Sequence, residues 1–226
     1  MKYTQFNHRP YEVHMLALEW VKSGSLVLDL GCATGYFGRE LIRNGCRVIG
    51  VESDKSAAII ARKFYQQVII GDLEESNKIK IDRDKFDYVL LLDVLEHIKN
   101  REQLLTAIHK WLKPQGILII STPNIAHVSI RLKLMFGDFS YSDWGILDKN
   151  HLHFFTEKTL EEELVGCRWL SETKAVSADF GQLPVFGRFL RHIPKIWQQM
   201  ITKMAPILLG VQFVWKCQAS KTYERA

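Results

Sequence analysis

The chain has 226 residues, 47% hydrophobic and 24% charged, with a net charge of +5 and a pI near 9.0, the balance of an ordinary water-soluble protein of one domain with decorations. No apolar run reaches the ~18 residues of a membrane span, Met1 to His8 lack the pattern of a secretory signal, and the scattered Cys32, Cys46, Cys167 and Cys217 contain no C-x-x-C, so reduced, packed thiols in a cytoplasmic protein are expected. The excess positive charge permits an anionic partner, nucleic acid or a lipid surface, without demanding one.

Residues 1–24 read as a polar lead-in followed by a helix, in which Val13, Leu16, Ala17, Trp20 and Val21 recur at 3–4 spacing until Ser23-Gly24 stops it. The apolar run Leu26–Leu30 then ends at Gly31 and Gly35, and Phe37, Leu41 and Ile42 open an amphipathic helix that Asn44-Gly45 closes. Strand, glycine turn and helix in that order begin a nucleotide-binding α/β unit, with backbone N–H groups and the positive helix end facing the ligand. A dinucleotide G-x-G-x-x-G from Gly31 would require Tyr36 at its third glycine, where the ring blocks a pyrophosphate. Asp29, two residues before Gly31, suits a ligand with an ammonium group instead. A second strand, 46–51, ends at Glu52, where an acid can hold ribose hydroxyls.

Asp54 and Ser56 offer caps for a helix through Ala57, Ile60, Ala61 and Phe64. The short strand Val68–Ile70 leads to Gly71-Asp72-Leu73, and residues 74–85 are charged and loop-like. Phe86–Leu92 is the strongest buried-strand run, ending at Asp93-Val94-Leu95-Glu96-His97. A helix through Leu104, Leu105, Ile108 and Trp111 follows, then the strand Ile117–Ile120 ending at Ser121-Thr122-Pro123-Asn124. Alternating strands and helices imply a parallel sheet with ligands outside the carboxyl ends of its strands, where Gly31, Glu52, Asp72, Asp93 and Asn124 all fall.

Residues 125–155 contain a helical stripe (His127, Ile130, Leu134, Met135), a break at Gly137-Asp138, and the run Asp148 to Phe155; they read as a lid over the pocket. Thr156 caps a further helix, and Trp169–Ala178 alternates as a strand. The segment 183–205 is apolar and basic, with Phe186, Phe189, Leu190, Ile193, Ile196, Trp197, Met200 and Ile201 among Arg188, Arg191, Lys195 and Lys203. It reads either as a helical hairpin packed on the sheet or as a peripheral membrane contact. Ile207–Lys216 is long enough for the last strand, and the tail from Ser220 is polar.

The pattern D-x-G-x-x-x-G from Asp29 to Gly35, followed by Glu52, resembles the first motif of class I S-adenosylmethionine-dependent methyltransferases, with Ala33 where that family usually has a middle glycine. The run F-D-x-V-x-x-x-D-V-L-E-H-I from Phe86, then L-K-P-x-G and S-T-P-N, is similar to the ubiquinone-biosynthesis O-methyltransferase group and its small-molecule relatives, over about residues 24–125. The resemblance implies a three-layer α/β Rossmann-like fold. Its seven-stranded sheet is mostly parallel with an antiparallel last strand, and helices lie on both faces. The reading is one methyltransferase domain over 1–226, with lead-in 1–24, lid-like insertion 125–155 and helical insertion 183–205. It implies S-adenosyl-L-methionine as cofactor, held by Asp29, Gly31, Ala33, Gly35, Glu52, Ser53, Asp72, Leu73 and Asp93. In that family Asp72 would accept from the adenine amino group, Leu73 would lie against the ring, and Arg9, in a lead-in folded over the cofactor, would meet its carboxylate. A solvated surface arginine is the plainer reading of Arg9.

Methyl transfer is an in-line displacement, so alignment dominates, and an oxygen or nitrogen acceptor also needs a base. Among the histidines, His97, His127, His151 and His153 are candidates, with His151 and His153 the preferred pair and His97 third. Asn124, His127 and His151 are expected to line the site of a small-molecule acceptor methylated at oxygen, with a lipid-like or lipid-linked compound as one reading of it. No metal is expected in the leading reading. An alternative joins Asp93, Glu96, His97 and His151 into a divalent-metal site, similar to that of small-RNA 2′-O-methyltransferases, and would make the chain an RNA enzyme. A further alternative binds cofactor without catalysis. Nucleic acid is not the expected partner, and the sequence leaves the oligomeric state open.

Overall fold

The computed structural model describes residues 6–83, 85–183 and 187–220. Five parallel strands come first: β1 (Leu26–Leu30), β2 (Arg47–Glu52), β3 (Gln67–Ile70), β4 (Phe86–Leu92) and β5 (Leu112–Pro123). β6 (Trp169–Ala178) and β7 (Gly210–Ala219) complete the sheet in the order β3-β2-β1-β4-β5-β7-β6. β7 inserts between β5 and β6 and runs antiparallel to both.

The strands are apolar on both faces because helices cover both. Leu28, Leu30, Val51, Leu91 and Ile120 face one core, while Val27, Val48, Leu90 and Ile119 face the other. α4 (Arg101–Trp111) and α6 (Glu157–Gly166) cover the first. There the His109 ring stacks on Trp169 at 3.8 Å, and Trp169 Nε1 donates to the Leu105 carbonyl. α1 (Val13–Trp20), α2 (Tyr36–Arg43) and α3 (Lys55–Ala61) cover the second. Gly38 lets α2 lie close to Tyr65 in the turn after α3, since a Cβ there would stand 2.0 Å from the Tyr65 ring. The lid begins with α5 (Val128–Met135), and the stretch between β6 and β7 folds as α7 (Gly187–Leu190), α8 (Lys195–Met204) and α9 (Pro206–Leu209).

The mostly parallel seven-stranded sheet, with its reversed last strand, is the architecture expected from the motif resemblance. Local boundaries differ in several places. β5 begins at Leu112, ahead of the expected Ile117, and continues through Pro123. α3 ends at Ala61, so Phe64 lies in the turn beyond it. Residues 206–209 form α9, with Pro206 at its start, and the last strand begins only at Gly210. After β4 the chain makes a short 3-10 turn, Leu95–His97. Phe186 and residues 221–226 lie outside the described residues. Among the described residues, no helix is long and apolar enough to cross a membrane.

Candidate active site

The glycine turn between β1 and α2 is pinned from below. The Gly31 and Cys32 N–H groups both donate to the Val51 carbonyl, at 2.9 and 3.1 Å. Gly35 caps α2 in the left-handed region, at φ +77°. Ala33 is also left-handed, at φ +48°, and its N–H donates to Glu52 Oε2 at 2.8 Å. The place where the methyltransferases that the motif resembles usually have glycine is therefore a strained backbone position, costing about 1–2 kcal/mol for any residue with a Cβ. Glu52 Oε1 accepts from the Asp54 N–H at 2.8 Å and the Ser53 hydroxyl at 3.4 Å, so one carboxylate braces the ends of β1 and β2.

Asp29 does not reach the open end of this loop. It turns onto the α2–α3 side, is buried, and accepts from the Tyr65 hydroxyl at 2.5 Å, while that hydroxyl also accepts from the Gly38 N–H. Burial raises the Asp29 carboxyl to about 7, against the lowering effect of the Tyr65 bond, and the Glu52 charge adds to the rise. Asp29 thus supports the loop from behind, a correction to its expected contact with an ammonium group. Leu73 is buried in the core beside the strand end. Asp72 is exposed and caps the turn Leu73–Lys78 by accepting from the Glu74 N–H at 3.0 Å.

Arg9 is exposed, and its charge falls on Glu12, which is bonded to Lys195. The lead-in residue that does reach the glycine loop is His14. Its Nε2 lies 2.9 Å from the Tyr36 hydroxyl, and the negative charge of Asp93 acts on it. Burial nevertheless holds its pKa below the usual histidine value. Periodicity marked His14 only as a position in a helix, so no sequence signal singled it out.

Asp93, at the end of β4, is a second left-handed non-glycine residue, at φ +54°. Its Oδ1 accepts from the Ser121 hydroxyl at 2.6 Å and from Gln212 Nε2 at 2.9 Å. Such strain is found mostly at functional sites. Glu96, His97 and His151 come together, with one ligating atom of each within 4.8 Å of the others; Asp93 lines the same cleft but is not part of that group. The four-residue metal set is corrected to three.

These residues line a cleft of about 230 Å³ together with Pro123, Trp144, Ile146 and Gln212. The lid is tied to the β4 turn from two directions. His97 Nδ1 meets the Asn150 carbonyl at 2.9 Å, and the Leu152 and His153 N–H groups donate to the Glu96 carbonyl. His151 Nδ1 meets the Ile146 carbonyl at 3.0 Å. A carbonyl can only accept, so Nδ1 carries a proton in both rings, and the neutral form of either ring has its lone pair on Nε2. His151 Nε2 lies 4.0 Å from Glu96 Oε1. Glu96 is 1% exposed, and neither carboxyl oxygen has a hydrogen-bond partner. Burial first, and the Asp93 charge second, push its pKa well above the carboxylate range. Burial lowers that of His151, keeping the ring neutral.

The other expected residues do different work. His153 is not among the residues that line the cleft; the charges of Arg101, Glu163 and Glu74 act on it, and a bend at Leu152 separates its direction from that of His151. Asn124 is fully buried: its amide donates to the Ile207 and Gly210 carbonyls and its Oδ1 accepts from the Ala126 N–H. His127 caps α5, accepting from the Ser129 N–H, and burial lowers its pKa to about 4. Neither lines the cleft; both fix the start of the lid. Trp144 of the lid, and Gln182 and Gln212 from segments remote in sequence, also line it, and no motif or spacing marks any of the three.

A model of a methyltransferase domain matches residues 5–165. The chain belongs to this methyltransferase-domain family. The ubiquinone biosynthesis O-methyltransferase of Glaesserella parasuis is 32% identical over 110 residues, 45% of this chain and 46% of that protein. The chain spans about half the length of the curated relatives it matches. A SAM-dependent methyltransferase from Archaeoglobus fulgidus shares the fold with a TM-score of 0.64 at 17% identity, over 89% of each chain. One from Methanosarcina mazei does so with a TM-score of 0.64 at 16% identity, over 96% of this chain and 99% of that one. The methyltransferase-domain family uses S-adenosylmethionine, and the donor set here fits it. Glu52 and Asp72 put acceptors at consecutive strand ends, as ribose hydroxyls and an adenine amino group require, and the glycine turn exposes a helix N-terminus beside them.

Proposed function

We propose that the chain transfers a methyl group from S-adenosylmethionine to an oxygen of a small-molecule acceptor seated in the lid-covered cleft. The observation that carries this reading is the position of Asp93. Its charge reaches His14 beside the glycine loop, and its side chain also lines the cleft, so donor and acceptor sites meet at one residue. Glu52 and Ser53 hold the ribose, Asp72 the adenine edge, Gly31, Ala33 and Gly35 the backbone approach, and Asp93 the methionine part. The cofactor supplies an electrophilic methyl group; alignment of the acceptor with it is the main task of the chain. His151, neutral and with a bare Nε2, takes the hydroxyl proton, with His97 beside it at a ring separation of 4.8 Å. The cleft is smaller than the ~300–1,000 Å³ of sites for drug-sized ligands, so it receives the reacting end of an acceptor and leaves the remainder outside. A lipid-like or lipid-linked acceptor fits that division.

A second reading draws on the Glu96 corner. The Glu96 carboxyl group, which lacks a hydrogen-bond partner, lies beside His97 and His151, the residue types of a site for a divalent cation bound by imidazole and carboxylate. Glu96, His97 and His151 would hold it, and the ion would make a hydroxyl more acidic at neutral pH.

Transfer of labelled methyl from S-adenosylmethionine to a panel of hydroxylated acceptors tests the function, and calorimetry tests the cofactor site. A charge-assisted bond of ~1.5–3 kcal/mol from Glu52 to ribose means that Glu52→Ala weakens cofactor binding roughly 10–150-fold. Unchanged affinity would remove that assignment, and cofactor binding with no transfer to any acceptor would leave a binding protein without catalysis.

A further inference from the structure

α8 is built inside out. Its buried residues are Gln198, Gln199 and Thr202, while Ile196, Trp197, Met200, Ile201 and Met204 are exposed, Trp197 by 56% and Met204 by 86%. Helices of water-soluble proteins turn the opposite stripe to the core. The orientation is fixed by specific bonds, so the helix cannot roll to hide its apolar side. Gln198 Oε1 accepts from the Phe180 N–H at 3.1 Å, and its Nε2 donates to the Ile193 carbonyl at 2.7 Å. Gln199 Nε2 donates to the Val176 carbonyl of β6 at 3.3 Å. Lys195 is drawn inward as well, to Glu12 at 3.0 Å and the Ala178 carbonyl at 2.8 Å. The polar face thus satisfies backbone groups of the neighbouring chain, and the apolar face is left to the outside. α9 extends it with exposed Ile207 and Leu208, and α7 with Phe189.

The charge around this face identifies its occupant. Residues 183–209 contain no aspartate or glutamate, and Arg188, Arg191 and Lys203 are exposed. A self-complementary contact with a second copy would bring these cations together uncompensated, whereas an anionic bilayer neutralises them. An apolar stripe with an aromatic residue and a basic rim is the pattern of a helix lying in the lipid headgroup region.

We propose that the outward face of α7–α9 docks on the surface of an anionic lipid bilayer. The face also sits next to the cleft. The Ile207 carbonyl of α9 accepts from Asn124 at the start of the lid, and Val211, just beyond α9, lines the cleft. Docking would therefore present the cleft mouth to the membrane surface, a consequence for the acceptor that rests on the function proposed above; the docking itself does not.

The test uses the whole chain and vesicles of phosphatidylcholine with and without phosphatidylglycerol. The chain is expected to sediment with the anionic vesicles and not with the neutral ones, with binding that falls as salt rises. Trp197→Asp and the pair Ile196→Asp/Met200→Asp should each weaken sedimentation at least tenfold. Arg191→Glu should weaken it by more than the roughly fivefold expected for losing one basic residue at ~1 kcal/mol. Cofactor affinity, measured by calorimetry on the same variants, should be unchanged, which shows that they are folded and separates this result from any failure of the methyltransferase reading. Absence of sedimentation by the parent chain, or equal sedimentation of the parent and the aspartate variants, overturns the proposal. So does a dimer in analytical ultracentrifugation that Trp197→Asp dissociates, since a second copy would then be the occupant.

Discussion

Ala33 offers a direct measurement of how the glycine turn is built. It sits at φ +48°, a region that costs about 1–2 kcal/mol for a residue with a Cβ, and its role is carried by its N–H, which donates to Glu52. Ala33→Gly keeps that bond and removes the strain. Glycine also frees the unfolded chain, which offsets roughly 0.4–1 kcal/mol of the gain. The net expectation is about 0.5–1 kcal/mol of added stability, or a rise of about 1–4 °C in melting temperature for a chain of this size. Ala33→Val asks a β-branched residue to adopt the same conformation, an outlier costing about 1–3 kcal/mol more, and should lower the melting temperature by about 2–10 °C. Thermal melts without cofactor, followed by cofactor calorimetry, give both numbers. A glycine variant that melts lower than the parent, or a valine variant as stable as the glycine variant, would show that residue 33 is not held left-handed.

Three further outcomes follow from the buried carboxylates and histidines. The Asp29 carboxyl, raised to about 7, favours the folded state while protonated; that contribution is complete below its unfolded value and is lost as pH rises through 7. Asp29→Asn should therefore be more stable than the parent at pH 8, by as much as ~4 kcal/mol for a shift of about three units, and no more stable at pH 3.5; urea unfolding across that range would contradict this if the difference were flat. If His151 is the base, its neutral form is required and burial lowers its pKa, so the acidic limb of the rate profile should fall below the ordinary 6.5 and disappear in His151→Asn. A limb unchanged by that substitution assigns the proton to another group. If the Glu96 corner holds a divalent ion, the parent should bind about one equivalent of zinc in calorimetry, and His97→Ala/His151→Ala should bind at least ~100-fold more weakly; equal binding by both rules the corner out.

The sequence alone determined the sheet, the cofactor and the strand ends at which Glu52 and Asp72 fall. Runs such as Val27–Leu30 and Phe86–Leu92 can only be strands buried on both faces, and each ends at a residue that breaks the run, Gly31 or Asp93. The order of strand, turn and helix then places Glu52 and Asp72 without any knowledge of contacts, because local pattern and right-handed crossovers suffice. Asp29 shows the limit of that logic: spacing put it in the turn, but strand alternation turned it to the opposite side of the loop, against Tyr65. The acceptor side was legible only in part. Glu96, His97 and His151 were visible as residue types, yet whether Asp93 joined them and whether His153 followed His151 depended on the turn after β4 and on the path of the lid. Asn124 and His127 looked like site residues and proved to hold α9, β7 and α5 in place. The amphipathic stretch 183–205 announced a helix with two faces. Which face turned outward was decided only in three dimensions, by backbone groups of β6 and of the segment before α8 that the glutamines of α8 satisfy, because hydrophobic periodicity fixes the existence of a stripe but not the partner it meets.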